Sequence, residues 1–335
     1  MSFRRKPESF KDPGFRRDDN WRDMSKKISA VIACYKDELS ITLMYERLTK
    51  VFLKVGVDYE IIFVNDGSPD CTEDLVTALV NKDPHVVGIN HSRNFSSQMA
   101  FTSGMDIATG DAVVLLDGDL QDPPELIEEF YQKWNEGFDV VYGVRAKREA
   151  PLLMQMAYKL FYRIFHNLSY IKIPLNAGDF SLMDRKIIEV MKSFPERDRF
   201  LRGLRAWTGF KQTGVDYVRP ERMFGTTTNN FFKNFNWATK GIFSFSYVPL
   251  EMMTLFSLMV FFIALLGIVI QLVLRFIDPS TPRGYSTILI AVLFMGAIQL
   301  LGISILGQYI GKIFEEVKAR PKYIVKSIVR HGSTG

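Results

Sequence analysis

Two stretches near the end of the chain limit its architecture more than any motif does. No charged residue lies between Glu251 and Arg275, and none lies between Arg283 and Lys312. Each stretch exceeds the roughly 20 residues that an α-helix needs to cross a bilayer. Two spans are expected, at about 252–274 and 287–309 within 251–311. The connection 276–286 is too short for a domain, so the pair reads as a helical hairpin. Lys233 and Lys240 precede it, and Lys312, Lys318, Arg320, Lys322 and Lys326 follow it. The loop holds only Arg283, with Arg275 at its edge. Basic residues favour the cytoplasmic side, so both termini and all that precedes the hairpin are expected in the cytoplasm. That makes the chain an integral protein of the cytoplasmic (inner) membrane. Gly307 and Gly311 form a small-xxx-small pattern that permits close helix packing, and a homo-oligomer through membrane or juxtamembrane helices is expected.

Upstream the composition is that of a folded α/β protein. Residues 1–23 are charged, contain Pro13 and Gly14 and carry no apolar run, so they read as a disordered arm and not as a signal peptide. Met24, just before Ser25-Lys26-Lys27, can serve as the natural start in place of Met1. Lys and Arg outnumber Asp and Glu by 42 to 37, a modest excess that suits a phosphate or a membrane surface; no nucleic-acid partner is expected. Cys34 and Cys71 show no pairing pattern, which points to a reducing compartment, and His85, His91, His166 and His331 have no zinc-like spacing.

From 27 to 144 strands and helices alternate. Strands are expected at 28–34, 59–64, 86–89, 112–116 and 139–144, and helices at 40–55, 72–81, 96–108 and 123–134. Repeats of this length predict a doubly wound, mostly parallel α/β sheet. No Gly-x-Gly-x-x-Gly or Walker pattern follows the first strand, which argues against a dinucleotide dehydrogenase or a P-loop enzyme.

The chemistry is expected at Leu115-Leu116-Asp117-Gly118-Asp119-Leu120-Gln121-Asp122-Pro123-Pro124-Glu125. An apolar strand ends at two carboxylates with Gly118 between them for a tight turn. Asp122 then reads as the N-cap of the next helix, with Pro in its first turn and Glu125 three residues on. Asp117, Asp119 and Gln121 would thus sit on a loop at the carboxyl end of a strand, where open α/β sheets bind ligands. Crowded carboxylates suit a hard cation, Mg²⁺ or Mn²⁺. A solvated acidic turn is the bland alternative.

Beyond 144 the pattern changes. Residues 151–168 read as a helix with Lys159, Arg163 and His166, either interfacial or core-facing. A strand is expected at 180–183 and a helix at 186–194. Arg199, Arg202 and Arg205 recur at three-residue spacing, ordinarily a solvated cationic face. A strand at 211–218 precedes Arg219 and Arg222, and the aromatic run from Phe231 to Phe245 reads as a juxtamembrane amphipathic segment (229–250).

The segments Ile28 to Glu38, Asn65-Asp66-Gly67-Ser68-Pro69-Asp70, Ser92-Arg93-Asn94-Phe95 and Asp117 to Glu125 together resemble glycosyltransferase family 2, of the GT-A fold. Asn176-Ala177-Gly178-Asp179-Phe180, Arg222-Met223-Phe224-Gly225 and Gly241-Ile242-Phe243-Ser244-Phe245-Ser246 are similar to the polyprenyl-phosphate branch. That branch holds the dolichol-phosphate mannose synthases and, closer to this sequence, the GtrB-type bactoprenol glucosyltransferases. The resemblance runs from about Ile28 to Lys322. It implies a catalytic domain at 24–228, and 312–335 as a cytoplasmic C-terminal tail. It also implies a nucleotide-sugar donor, with Ala33, Tyr35, Asp37, Glu38 and Asp66 lining the nucleoside and Asp117 near ribose or metal. Asp119 and Gln121 would hold the metal against the diphosphate. Asp66 also suits a turn, and Glu38 a helix start. The sequence departs from the family at Ala33 (usually Pro), Lys36 (Asn) and Ser96 (Gly). Thr226-Thr227 stand where Ser-Lys is usual; Lys233 is the candidate substitute for that lysine.

A polyprenyl phosphate acceptor is already an anion, its second pKa being about 6. It needs cationic guidance more than a general base. Arg145, Lys147, Arg148, Arg202, Arg219 and Arg222 are the candidates. Asp119, Asp179 and Arg222 are expected to be catalytic, Asp179 as a base or as the orienting partner of an Arg. The resemblance implies inversion at the anomeric carbon and, by its branch, glucose from UDP-glucose; GDP-mannose or a UDP-4-amino-arabinose-type donor is the alternative. A processive polysaccharide synthase would carry Gln-x-x-Arg-Trp, where this chain has Leu204-Arg205-Ala206-Trp207. A non-catalytic membrane scaffold is opposed by the intact Asp117, Asp119 and Gln121.

Overall fold

A computed structural model describes residues 26–145, 177–220 and 284–332, with scattered helical positions between 253 and 273. The N-terminal arm, the 151–168 helix, the aromatic juxtamembrane run and part of the first expected span lie outside the described residues.

The described chain runs β1 (Lys27–Cys34), α1 (Glu38–Val55), β2 (Asp58–Asn65), α2 (Thr72–Lys82), β3 (Val86–His91), α3 (Ser97–Ile107) and β4 (Ala112–Asp117). A 3₁₀ turn (Pro124–Leu126) leads into α4 (Ile127–Asn135) and β5 (Val140–Arg145). Then come β6 (Ala177–Asp184), α5 (Arg185–Ser193), α6 (Leu201–Trp207), β7 (Gln212–Tyr217), α7 (Tyr285–Lys318) and β8 (Val325–Arg330). The strands form one eight-stranded sheet in the order β7-β5-β6-β4-β1-β2-β3-β8. Its centre, β4-β1-β2-β3, is parallel, as the alternating pattern predicts. The flanks are mixed: β6 runs antiparallel to β4 and β5, and β8 antiparallel to β3.

Side chains on a strand alternate between faces, and here both faces are covered. Ile28, Ala30 and Ile32 of β1, with Ala112, Val114 and Leu116 of β4, join the core under α1, α2 and α4. Val31 and Ala33, with Val113 and Leu115, join the core under α3, α5 and α6. Burial on two faces explains why these strands read as unbroken apolar runs. In α1 the buried stripe is Ile41, Met44, Leu48, Val51 and Phe52, at helical spacing.

Two expectations are corrected. The residues after the second expected span are not a free tail: Val325–Arg330 adds to the sheet edge, with Gly88 opposite Val329 and Asn90 opposite Ser327. Nor are Arg199, Arg202 and Arg205 a solvated face. Arg199 and Arg205 are fully buried, Arg199 donating to the Met191 carbonyl and Arg205 stacking on Tyr142 while reaching the Gly178 carbonyl. Their spacing is helical, but α6 begins only at Leu201 and lies against the sheet.

Among the described residues one helical segment, Phe294–Lys318 of α7, is long and apolar enough to cross a membrane. Gly307 and Gly311 on it have no neighbour where a side chain would project, so that close-packing face is open in this single chain. The end of α7 is tied to the domain. Lys312 pairs with Asp198, Glu316 accepts the Arg197 backbone N–H at 2.7 Å, and Lys322 donates to the Phe194 carbonyl at 2.9 Å.

Candidate active site

The carboxyl ends of β1, β2, β3 and β4 fall on one edge of the sheet. The antiparallel β6 brings its beginning there, since Ala177 pairs with Val144 at the end of β5. Asp179 is thereby set near the loop after β4. The parallel pairing of β5 with β7 ends at Arg145 opposite Tyr217, which delivers both side chains to the same place.

The loop after β4 is held by contacts that the residue pattern only partly foretold. Gly118 has no left-handed backbone; the positive φ (+60°) belongs to Leu120. Glycine eases the packing at 118, since a Cβ there would stand tightly, at 3.0 Å, against the Ala33 carbonyl and Asp37 Oδ2. Its N–H donates to Ala33 O at 2.9 Å and its carbonyl accepts from Ser40 Oγ at 2.6 Å, locking the two loops together. Asp122 is not a helix cap. Its buried carboxylate accepts the Tyr217 hydroxyl at 2.5 Å, and Arg219 Nε lies 3.8 Å away. Arg145 Nε in turn lies 3.4 Å from the Tyr217 oxygen.

Charge crowds this edge. Burial, and the neighbouring Asp122, Asp119 and Asp179, push the Asp117 carboxyl up to about 8; Arg219, 3.9 Å away, opposes them. Asp117 still keeps 37% of its side chain exposed, so the field of the neighbouring carboxylates, added to loss of solvent around the group, makes the site acidic and open at once. Asp122 is raised as well, mainly by burial, against the pull of Arg219, Tyr217 and Arg145. Such a group of hard oxygens fits a divalent cation. Among the described residues, however, no three His, Cys, Asp or Glu side chains converge as a complete cage. That donor set suits a hard cation such as Mg²⁺ or Mn²⁺, bound by one or two carboxylates with its other positions left to further oxygen ligands. Gln121 donates its backbone N–H to Asp119 at 3.1 Å and its amide N–H to the Pro220 carbonyl at 3.4 Å.

In the loop after β1, Tyr35 is exposed and its backbone N–H is held by Asp37 Oδ2 at 3.0 Å. Lys36 takes a left-handed φ of +62° and donates its N–H to Ser68 Oγ at 2.8 Å. Glu38 does more than open α1: its carboxylate accepts the Cys71 N–H at 3.0 Å, joining the loops after β1 and β2. Asp66 is buried at the end of β2 and accepts the Phe95 N–H at 2.8 Å. Asp179 Oδ2 accepts from Gln98 at 2.9 Å and from Arg202 at 3.3 Å, while its buried Oδ1 has no partner. Arg205 behind it is pushed down to about 10 by burial, with Arg202 acting in the same direction and Asp179 against it.

The structure thus gathers Ala33, Tyr35, Asp37, Glu38, Asp66, Asp117, Asp119, Gln121, Arg145, Asp179, Arg202 and Arg219 around one edge. Lys147, Arg148, Asn176, Arg222 and Lys233 lie outside the described residues. Sequence reasoning missed Asp122, Tyr217, Gln98 and His91. Asp122 was disguised by its helix-cap pattern, and the other three carry no local signal because their partners are distant in the chain.

The profile of glycosyl transferase family 2 matches residues 29–191. An uncharacterised glycosyltransferase of Synechocystis is 40% identical over 307 residues, 91% of this chain and 96% of its own length. A prophage-derived bactoprenol glucosyl transferase of Shigella flexneri is 40% identical over 301 residues, 90% of this chain and 97% of its own. A crystal structure of glucosyl-3-phosphoglycerate synthase from Mycobacterium tuberculosis is 18% identical, covering 65% of this chain and 79% of that one, with a TM-score of 0.43.

Proposed function

We propose that this chain, which belongs to glycosyl transferase family 2 and is a glycosyltransferase, moves glucose from UDP-glucose to undecaprenyl phosphate at the cytoplasmic face of the inner membrane. What carries the reading is the near full-length 40% identity to a bactoprenol glucosyl transferase in a chain whose carboxylates crowd the sheet edge around Asp117. A polyprenyl acceptor also accords with a C-terminal helix apolar enough for a bilayer.

The residues divide the work by charge. Ala33, Tyr35, Asp37, Glu38 and Asp66 receive the nucleoside, and Asp66, as a buried acceptor, takes a base N–H. A divalent ion, Mg²⁺ or Mn²⁺, held by Asp117, Asp119 and Gln121, would supply Lewis-acid stabilisation of the departing diphosphate. Arg145, Arg202 and Arg219, with Arg148 and Arg222 from outside the described residues, bind phosphate oxygens and guide the acceptor to the sugar carbon. The acceptor phosphate attacks the anomeric carbon from the face opposite the leaving UDP and inverts the linkage. Asp179, gripped by Gln98 and Arg202, orients the acceptor cations, since an ionised phosphate needs little proton removal. The catalytic domain and both termini are cytoplasmic, the hairpin anchors the chain, and its small-residue face assembles copies.

The test is transfer by the full chain in detergent with undecaprenyl phosphate and a panel of UDP-glucose, GDP-mannose and UDP-4-amino-arabinose-type donors. Glucosyl lipid and UDP are expected only with divalent metal and lipid phosphate together. Turnover with GDP-mannose alone would reassign the donor. UDP release that ignores added lipid phosphate would refute the acceptor.

A further inference from the structure

We propose that His91 is a positioning residue for nucleotide recognition, and that the segment following α7 clamps it, Tyr323 being the clamp. The inference rests on the reading of Asp66 as the acceptor of a nucleobase N–H.

Asp66 has one oxygen engaged and one not. Oδ1 takes the Phe95 N–H and lies 2.8 Å from His91 Nδ1, while the buried Oδ2 has no hydrogen-bond partner. A buried acceptor left unmatched is costly, and a ligand N–H would satisfy it. The direction in which Oδ2 is presented is set by the bonds to Oδ1. A carboxylate only accepts, so His91 Nδ1 carries the proton between them. The imidazole itself cannot turn. Its side chain is fully buried, and Nε2 is 2.9 Å from Ser103 Oγ. Phe95 meets the ring edge-on at 5.7 Å, and Tyr323 stacks on its face at 5.4 Å with planes 13° apart.

Tyr323 comes from the far end of the chain and is fixed in its own right. Its hydroxyl donates to Asp106 at 2.7 Å, and the adjacent Ile324 carbonyl accepts the Ser92 N–H at 3.0 Å. A second polar chain runs alongside from β8. Asn90 donates to Ser327 Oγ at 3.0 Å and accepts from Asn65 at 3.0 Å; Asn65 accepts the Ser68 N–H at 2.9 Å, and Ser68 Oγ holds Lys36 N. Both chains end in the loops that face the nucleoside. The return of the chain after α7 therefore reaches the loops of the donor pocket as well as completing the sheet edge.

The probe is UDP against N3-methyl-UDP, which lacks the donor that Asp66 would accept, with binding measured on the full chain in detergent in the presence of Mn²⁺. A hydrogen bond to a carboxylate gives the wild type a preference for UDP of roughly tenfold or more. Tyr323→Ala is expected to shrink that ratio below about threefold, and Tyr323→Phe, which keeps the stack, to retain it. Affinity for both nucleotides falling by the same factor in Tyr323→Ala, with the ratio kept, overturns the proposal: the segment would then only stabilise the fold. A wild type that ignores the methyl group removes the reading of Asp66 and the role of His91 with it. Should Tyr323→Ala fail to fold, Ser103→Ala carries the same expectation through the other ring nitrogen, and a preserved ratio there overturns it equally.

Discussion

Replacing Tyr217 by Phe isolates one hydrogen bond at the acidic edge. The ring remains to pack edge-on against Phe180 at 5.8 Å, so no cavity opens. What is lost is a 2.5 Å bond to the buried Asp122 and the oxygen 3.4 Å from Arg145 Nε. A hydrogen bond to a charged acceptor contributes about 1.5–3 kcal/mol, and its loss leaves Asp122 with Arg219 as its nearest cation. For a domain of 150–250 residues each kcal/mol moves the melting temperature by about 2–4 °C, so Tyr217→Phe should melt about 3–12 °C lower. Arg145 should also lose its alignment, and transfer should slow at a temperature where the variant is fully folded. The assay is thermal unfolding of the detergent-solubilised chain, paired with transfer rate at 25 °C. A drop of less than about 1 °C with an unchanged rate would refute the reasoning, because it would mean that Asp122 is not held through this hydroxyl.

Asp119→Asn should fold and insert yet lose transfer, because it removes a charge facing the proposed cation; near-normal turnover with Mg²⁺ or Mn²⁺ would sink the metal assignment. Glu60 gives a pH signature. Burial raises its pKa, but bonds from Ser29 Oγ (2.5 Å), the Thr109 N–H (2.6 Å) and Lys27 outweigh burial and hold it below the ordinary value. A depressed carboxylate contributes stability above its unfolded pKa of about 4.3 and loses it as pH falls through the folded value. Wild type should therefore lose melting temperature more steeply than Glu60→Gln from pH 5 downward; parallel curves would count against these bonds. A cysteine introduced by Ser280→Cys should react with an impermeant thiol reagent from the non-cytoplasmic side only, and labelling from the cytoplasm would reverse the topology.

The alternation of strands and helices from 27 to 144 was legible in the sequence because it is written in local periods: two along a strand, 3.6 along a helix. The same holds for the position of Asp117, Asp119 and Gln121, since an apolar strand that stops at carboxylates ahead of a helix start places them at the sheet's carboxyl edge. The long apolar character of α7 was equally plain, because it needs only composition over a window. Tertiary structure decided what local patterns cannot express. Asp122 had all the marks of a helix cap, yet its partner is a tyrosine 95 positions away. The final strand looked like a charged tail because an edge strand exposes alternate residues, and only the free edge of β3 gives its other face something to pack on. Arg199 and Arg205 had the spacing of a solvated face, but burial depends on which side of the helix meets the sheet, and that is set by chain closure. His91 showed no motif because Asp66, Ser103 and Tyr323 reach it from three separate elements. A short stretch of sequence encodes what neighbouring residues do to one another; contacts made across long loops exist only once the whole chain has closed on its core.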